Sequence, residues 1–153
     1  MTFVSPLMGF LGQIPPEPAG QVEFLEPGTY EWIVPLALST VSILLVGGGG
    51  GGGRGSVGNE TGGGGGGALR YQNDMLVYGG EKIIVYVGAG GDGASADNTP
   101  GGDGGDSRII RNGNITLIES KGGSGGQVVI GMAATGGTGS PIGGDIFANC
   151  NTV

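Results

Sequence analysis

The chain predicts an all-β fold: a small β-sandwich-like domain with glycine-rich segments, packed as polyglycine II helices or tight loops, behind an extended N-terminal arm. Three observations carry this expectation. Short runs of alternating or β-branched apolar residues recur from Gln21 onward. Glycine, 40 of 153 residues, is concentrated between those runs. No stretch shows the caps and 3.6-residue period of a helix, which glycine at this density opposes. Length and composition fit one domain over 21–153, preceded by an arm over 1–20.

The arm carries Phe3, Val4, Leu7, Met8, Phe10, Leu11 and Ile14 without a period of two or 3.6, then Pro15, Pro16 and Pro18. Such a segment reads as extended, packed on its own domain or docked on a neighbour; Phe3, Leu7, Phe10, Leu11 and Ile14 are its docking candidates. Val22 and Phe24 alternate with Glu23, and Tyr30, Trp32 and Val34 alternate beyond the turn Glu26-Pro27-Gly28, which predicts a half-buried hairpin with Trp32 in the core. Val41 to Val46 is apolar on both faces and predicts a strand covered on both sides. Ala68 to Tyr71 and Met75 to Tyr78 are split by the turn-prone Asn73-Asp74, and Lys82 to Val87 is strongly β-branched. Ser107 to Ile110, Ile115 to Ile118 and Gln127 to Met132 are short strands, and Asn112-Gly113 supplies the positive φ values of a hairpin turn.

Gly47 to Gly53 and Gly62 to Gly67 are unbroken glycine. Each glycine ordered in regular structure is unfavourable by roughly 0.5–1 kcal/mol relative to alanine, so thirteen of them oppose folding by about 6–13 kcal/mol, comparable to the ~5–15 kcal/mol stability of a domain. A flexible linker would mix in serine and join independent units. Here serine is absent from both runs, and the flanking strands are too short to stand alone. The remaining account is backbone packed so closely that no Cβ fits, as at the collagen axis, with amides paired between neighbouring threefold helices.

Composition excludes several functions. Six basic against thirteen acidic residues, net charge −7, argue against nucleic acid. No positive n-region marks an export signal, and Ile33 to Val46 is too short and too interrupted to span a bilayer. One cysteine, Cys150, permits no internal disulfide. Without histidine the usual triad and general base are missing, and neither lysine follows glycine as a phosphate-binding loop requires. Gly101-Gly102-Asp103-Gly104-Gly105-Asp106 fits most of one calcium-binding nonapeptide, but Arg108 breaks it and it is not repeated, so the reading preferred is aspartates accepting backbone hydrogen bonds. The same Asp103 and Asp106 lack neighbouring aromatics for a glycosidase pair. No enzyme, metal or cofactor is expected.

Arg54 to Thr61, Asp92 to Thr99 and Thr138 to Asp145 interrupt the glycine. If glycine segments form rods, these become loops at the rod ends, and Arg54, Asn59, Glu60, Asp97 and Asn98 are the candidate contact residues.

The order Phe24-Leu25-Glu26-Pro27-Gly28-Thr29-Tyr30-Glu31-Trp32-Ile33-Val34-Pro35, then Val41 to Val46, the glycine run, Ala68 to Asp74 and Ile83 to Gly88, resembles the glycine-rich domain of bacteriophage tail-fibre and other virion surface proteins. The resemblance spans Gln21 to Met132. It implies a non-enzymatic virion component at the particle surface, assembled in the host cytoplasm, with end loops for a host receptor or glycan. It further implies an arm docked on other virion proteins and, by analogy, a homotrimer. The alternatives are a capsid decoration or head-fibre protein, or a cell-surface carbohydrate-binding module.

Overall fold

The computed structural model describes residues 20–130. The arm candidates Phe3, Leu7, Phe10, Leu11 and Ile14, the later glycine segment 136–144 and Cys150 lie outside the described residues.

The described residues form eight strands: β1 Gly28–Ile33, β2 Thr40–Val46, β3 Asn59–Thr61, β4 Leu69–Leu76, β5 Lys82–Val87, β6 Ser107–Arg111, β7 Ile115–Ser120 and β8 Val128–Ile130. Among the described residues there is no helix. A four-stranded sheet, β1-β5-β6-β7, faces a two-stranded sheet, β2-β4, and β3 pairs with β8; every pairing is antiparallel. Alternate residues of the facing sheets meet in one core of Val34, Leu45, Met75, Val77, Ile83, Val85, Ile109 and Ile118, with half-buried Trp32 packed against it.

Three local expectations need correction. Residues 22–24 form no strand, and β1 pairs with β5, Trp32 opposite Ile83, so the early hairpin is absent. Alternation marks a strand, but its partner depends on where the chain returns. The outer face of β2 is not covered among the described residues, where Leu44 and Val46 are exposed. Asn73-Asp74 does not end a strand: Ile43 faces Gln72 and Val41 faces Met75, so the pair bulges opposite Ser42 within a continuous β4. Asp74 takes the positive φ, 51°, and the Ser42 hydroxyl donates to Asn73 Oδ1 at 3.0 Å. The turn at Asn112 (φ 51°) and Gly113 (φ 75°) matches its sequence signature.

Each glycine segment among the described residues continues a strand without a break. Rod 1 (47–53) extends β2, rod 2 (62–68) leads into β4, rod 3 (88–94) extends β5, rod 4 (100–106) leads into β6, and rod 5 (121–127) joins β7 to β8. Their hydrogen bonds step by three residues. Gly47, Gly50 and Gly53 donate to Ala68, Gly65 and Gly62 of rod 2, and Gly48 and Gly51 donate to Gly105 and Gly102 of rod 4. Rod 1 accepts from Gly91 and Ala94 of rod 3 and from Gly123 and Gly126 of rod 5. Rod 2 donates to rod 5, and rod 4 donates to rods 3 and 5. A period of three with amides paired between chains is the threefold polyglycine arrangement, here a layer of three rods (2-1-3) on a layer of two (5-4). Rods 1, 3 and 5 run one way, rods 2 and 4 the other.

Space rather than backbone freedom requires the interior glycines. Among the described glycines, positive φ occurs at Gly28, Gly58, Gly80 and Gly113, all outside the rods. A Cβ on Gly51 would lie closer to the Asp92 carbonyl oxygen than the 3.0 Å real side chains keep, and Gly48 would meet Ala89 in the same way. Gly64 and Gly67 of rod 2 press on Gly50 and Gly47, and Gly101 and Gly104 of rod 4 on Gly51 and Gly48. By contrast, Gly52, Gly63, Gly66 and Gly93, on the outer side of the three-rod layer, would meet nothing within 4 Å.

Two buried serines manage the change from sheet to rod pattern. The Ser107 hydroxyl accepts from the Gly88 amide at 2.9 Å, and the Ser120 hydroxyl donates to the Ala68 carbonyl at 2.6 Å. Without Ser107 the Gly88 amide at the junction would lose this partner, whereas the Ala68 carbonyl, which also accepts from the Gly47 amide, takes the Ser120 hydroxyl as a second donor.

Candidate functional site

Because all five rods grow from one end of the sandwich, their reversals fall at the opposite end. Rods 1 and 2 are joined through residues 54–58 and β3, rods 3 and 4 through residues 95–99, and rod 5 runs on into β8. These segments form the tip. Arg54 and Thr99 close it by exchanging backbone hydrogen bonds at 3.0 and 3.1 Å.

The five residues expected at rod ends are all here. The Asn98 side-chain oxygen accepts from the Ser56 amide and hydroxyl, both at 3.1 Å, and from Asn59 Nδ2 at 2.6 Å. One asparagine thus ties the two loops together, and its φ of 60° is one that asparagine tolerates. Arg54 Nε pairs with Asp97 at 2.8 Å and Arg54 Nη1 donates to the Ser95 carbonyl at 3.2 Å; both charged side chains remain more than half exposed. Glu60 is exposed on β3, whose partner in β8 is Val129. Asn59 and Asn98 therefore build the tip, while Arg54, Asp97 and Glu60 present charge from it.

Val57 was not singled out by its sequence. It is fully exposed at the turn apex beside Gly58, whose φ is +86°. The available signal was an apolar residue inside an otherwise polar, glycine-flanked loop. Val57, Glu60 and the Arg54–Asp97 pair are thus exposed side chains of the same tip loops and β3. Among the described residues no group of three acidic, histidine or cysteine side chains could hold a metal.

Asp103 and Asp106 project from the two-rod layer. Asp103 Oδ1 accepts from the Gly125 amide at 2.7 Å; Asp106 Oδ1 accepts from the Gly122 amide at 2.9 Å, and its Oδ2 from Lys121 Nζ at 2.7 Å. Their spacing of three matches the rod period, so each carboxylate serves an amide of rod 5. The Lys121 hydrogen bond, then the Gly122 amide, lowers the Asp106 pKa below its ordinary value, and Asp106, then Glu119, raises that of Lys121.

A threefold glycine bundle on a small β sandwich, with side chains presented only from its ends and edges, defines a glycine-rich all-β module. The chain belongs to the family described as the glycine-rich domain, whose model matches residues 25–151. No curated protein and no solved structure matches it.

Proposed function

We propose that this protein is a non-enzymatic structural component of a bacteriophage particle, a tail-fibre or receptor-binding module displayed at the virion surface. The observation that carries the reading is the convergence of the rod reversals on one face, where hydrogen bonds hold the loops and Val57, Glu60 and the Arg54–Asp97 pair are presented outward. A scaffold with interlocked backbone fixes such loops before binding and so reduces the entropy lost on contact. Attachment to neighbouring virion proteins falls to the sandwich end, where the chain enters from residues 1–19.

The test is adsorption of fluorescently labelled protein to a panel of bacterial strains. Saturable binding to some strains is expected, weakened at least tenfold by Val57→Asp with Glu60→Lys while the melting temperature holds. Rebinding to stripped capsids without binding to cells would favour a decoration protein instead. Binding untouched by these substitutions would remove the tip from the reading.

A further inference from the structure

The two facing sheets are unequal. Four strands lie opposite two, and β2 pairs with β4 on one side only; among the described residues no strand occupies its other edge. Because β2 packs over β6 and β7, no strand among the described residues lies over the inner face of β1 and β5. The result is a groove of about 1110 Å³ lined by half-buried Trp32 of β1 and half-buried Val41 and Ile43 of β2, and bounded on the core side by buried Ile83, Val85 and Ile109. Residues 20–25 form its rim, so the first described residue, Gly20, lies beside it. An open, apolar strand edge is a site for a further strand.

We propose that the groove is filled by residues 3–14 of the same chain, laid along the free edge of β2 as an extended strand. The segment has the right chemistry: Phe3, Val4, Leu7, Met8, Phe10, Leu11 and Ile14 are apolar, and no charged side chain precedes Glu17. It has the right length. The seven residues of β2 span roughly 23 Å at about 3.3 Å each, and twelve extended residues reach about 40 Å. The connection 15–19, with three prolines, is long enough to turn back from the rim at Gly20. A tether this short holds the segment at an effective concentration in the millimolar range, which favours its own groove over that of another copy. This inference is independent of the virion reading: it concerns how the sandwich is completed, and it leaves attachment to the completed surface.

Trp32 is the chain's only tryptophan and lies in the groove, so it reports occupancy directly. In the full chain its fluorescence should be shielded from acrylamide. Deleting residues 1–19 should raise the quenching constant at least threefold and shift emission to the red, and a synthetic peptide of residues 1–19 should reverse both changes. If the shortened chain does not stay folded, Leu7→Asp with Phe10→Asp in the full chain gives the same reading. Free quenching of Trp32 in the full chain, or quenching indifferent to every one of these changes, overturns the proposal. So does a full chain that sediments as a dimer at micromolar concentration and becomes monomeric without residues 1–19, which would assign the strand to a second copy.

Discussion

The sandwich and the rod bundle solve the same problem with opposite materials. In the sandwich the interior is side chains, among them Ile83, Val85 and Ile109, and stability comes from apolar area removed from water. In the bundle the interior is backbone: carbonyl oxygens occupy the places that Cβ atoms would take, and hydrogen bonds stepping by three hold the rods. A side-chain core can lose a methyl group and relax. A backbone core has no rotamers with which to accept one.

The largest expected effect comes from one added carbon. Gly51→Ala puts a Cβ against the Asp92 carbonyl in the rod that touches all four others, and should destabilise by about 3 kcal/mol or more in urea unfolding, at or beyond the usual range for overpacking. Its counterpart removes one carbon from the sandwich: Ile83→Val should destabilise by only about 0.5–1.5 kcal/mol. If the two are equal, the proposed difference between the cores is wrong. Next comes a change of opposite sign. Gly52→Ala, one residue along the same rod, meets open space at a φ that side chains accept, and should stabilise by about 0.4–1 kcal/mol by restricting the unfolded chain. Destabilisation there comparable to Gly51→Ala would show that the outer side of the rod is not free.

The smallest effect is electrostatic. Asp106, with its pKa lowered, contributes stability present above its unfolded value near 3.8 and lost as pH falls through the folded value. Lys121, with its pKa raised, contributes stability present below 10.5 and lost as pH rises through the folded value. Both side chains are more than a third exposed, so the contribution is screened by salt. Asp106→Asn should flatten the acid limb of a melting-temperature profile and reduce the alkaline one; an unchanged profile would remove this pair from the account.

The sequence made the glycine rods legible because seven consecutive glycines rule out both helix and side-chain core, and a strand directly before them leaves little but close packing. It also showed β5 and the Asn112-Gly113 turn, whose determinants are local. What it could not show was pairing. Val22 and Phe24 alternate as a strand would, yet β1 finds its partner in β5, because rods 1 and 2 carry the chain away and return it as β4, where it pairs with β2. The candidate loop residues were found because they interrupt glycine, which is the feature that places them at the tip. Val57 was missed because one valine in a polar loop has no periodicity to mark it.

The central claim, that side-chain-free backbone forms an ordered core, is tested most directly by residue-resolved hydrogen exchange along rod 1. The amides of Gly47, Gly48, Gly50 and Gly51 donate to neighbouring rods. Among the described residues no backbone acceptor faces those of Gly49 and Gly52. The account predicts two slow amides and one fast in every three, the slow ones protected to the level of β5 and β6. Uniformly fast exchange from 47 to 53, at the rate of an unstructured chain, would contradict it.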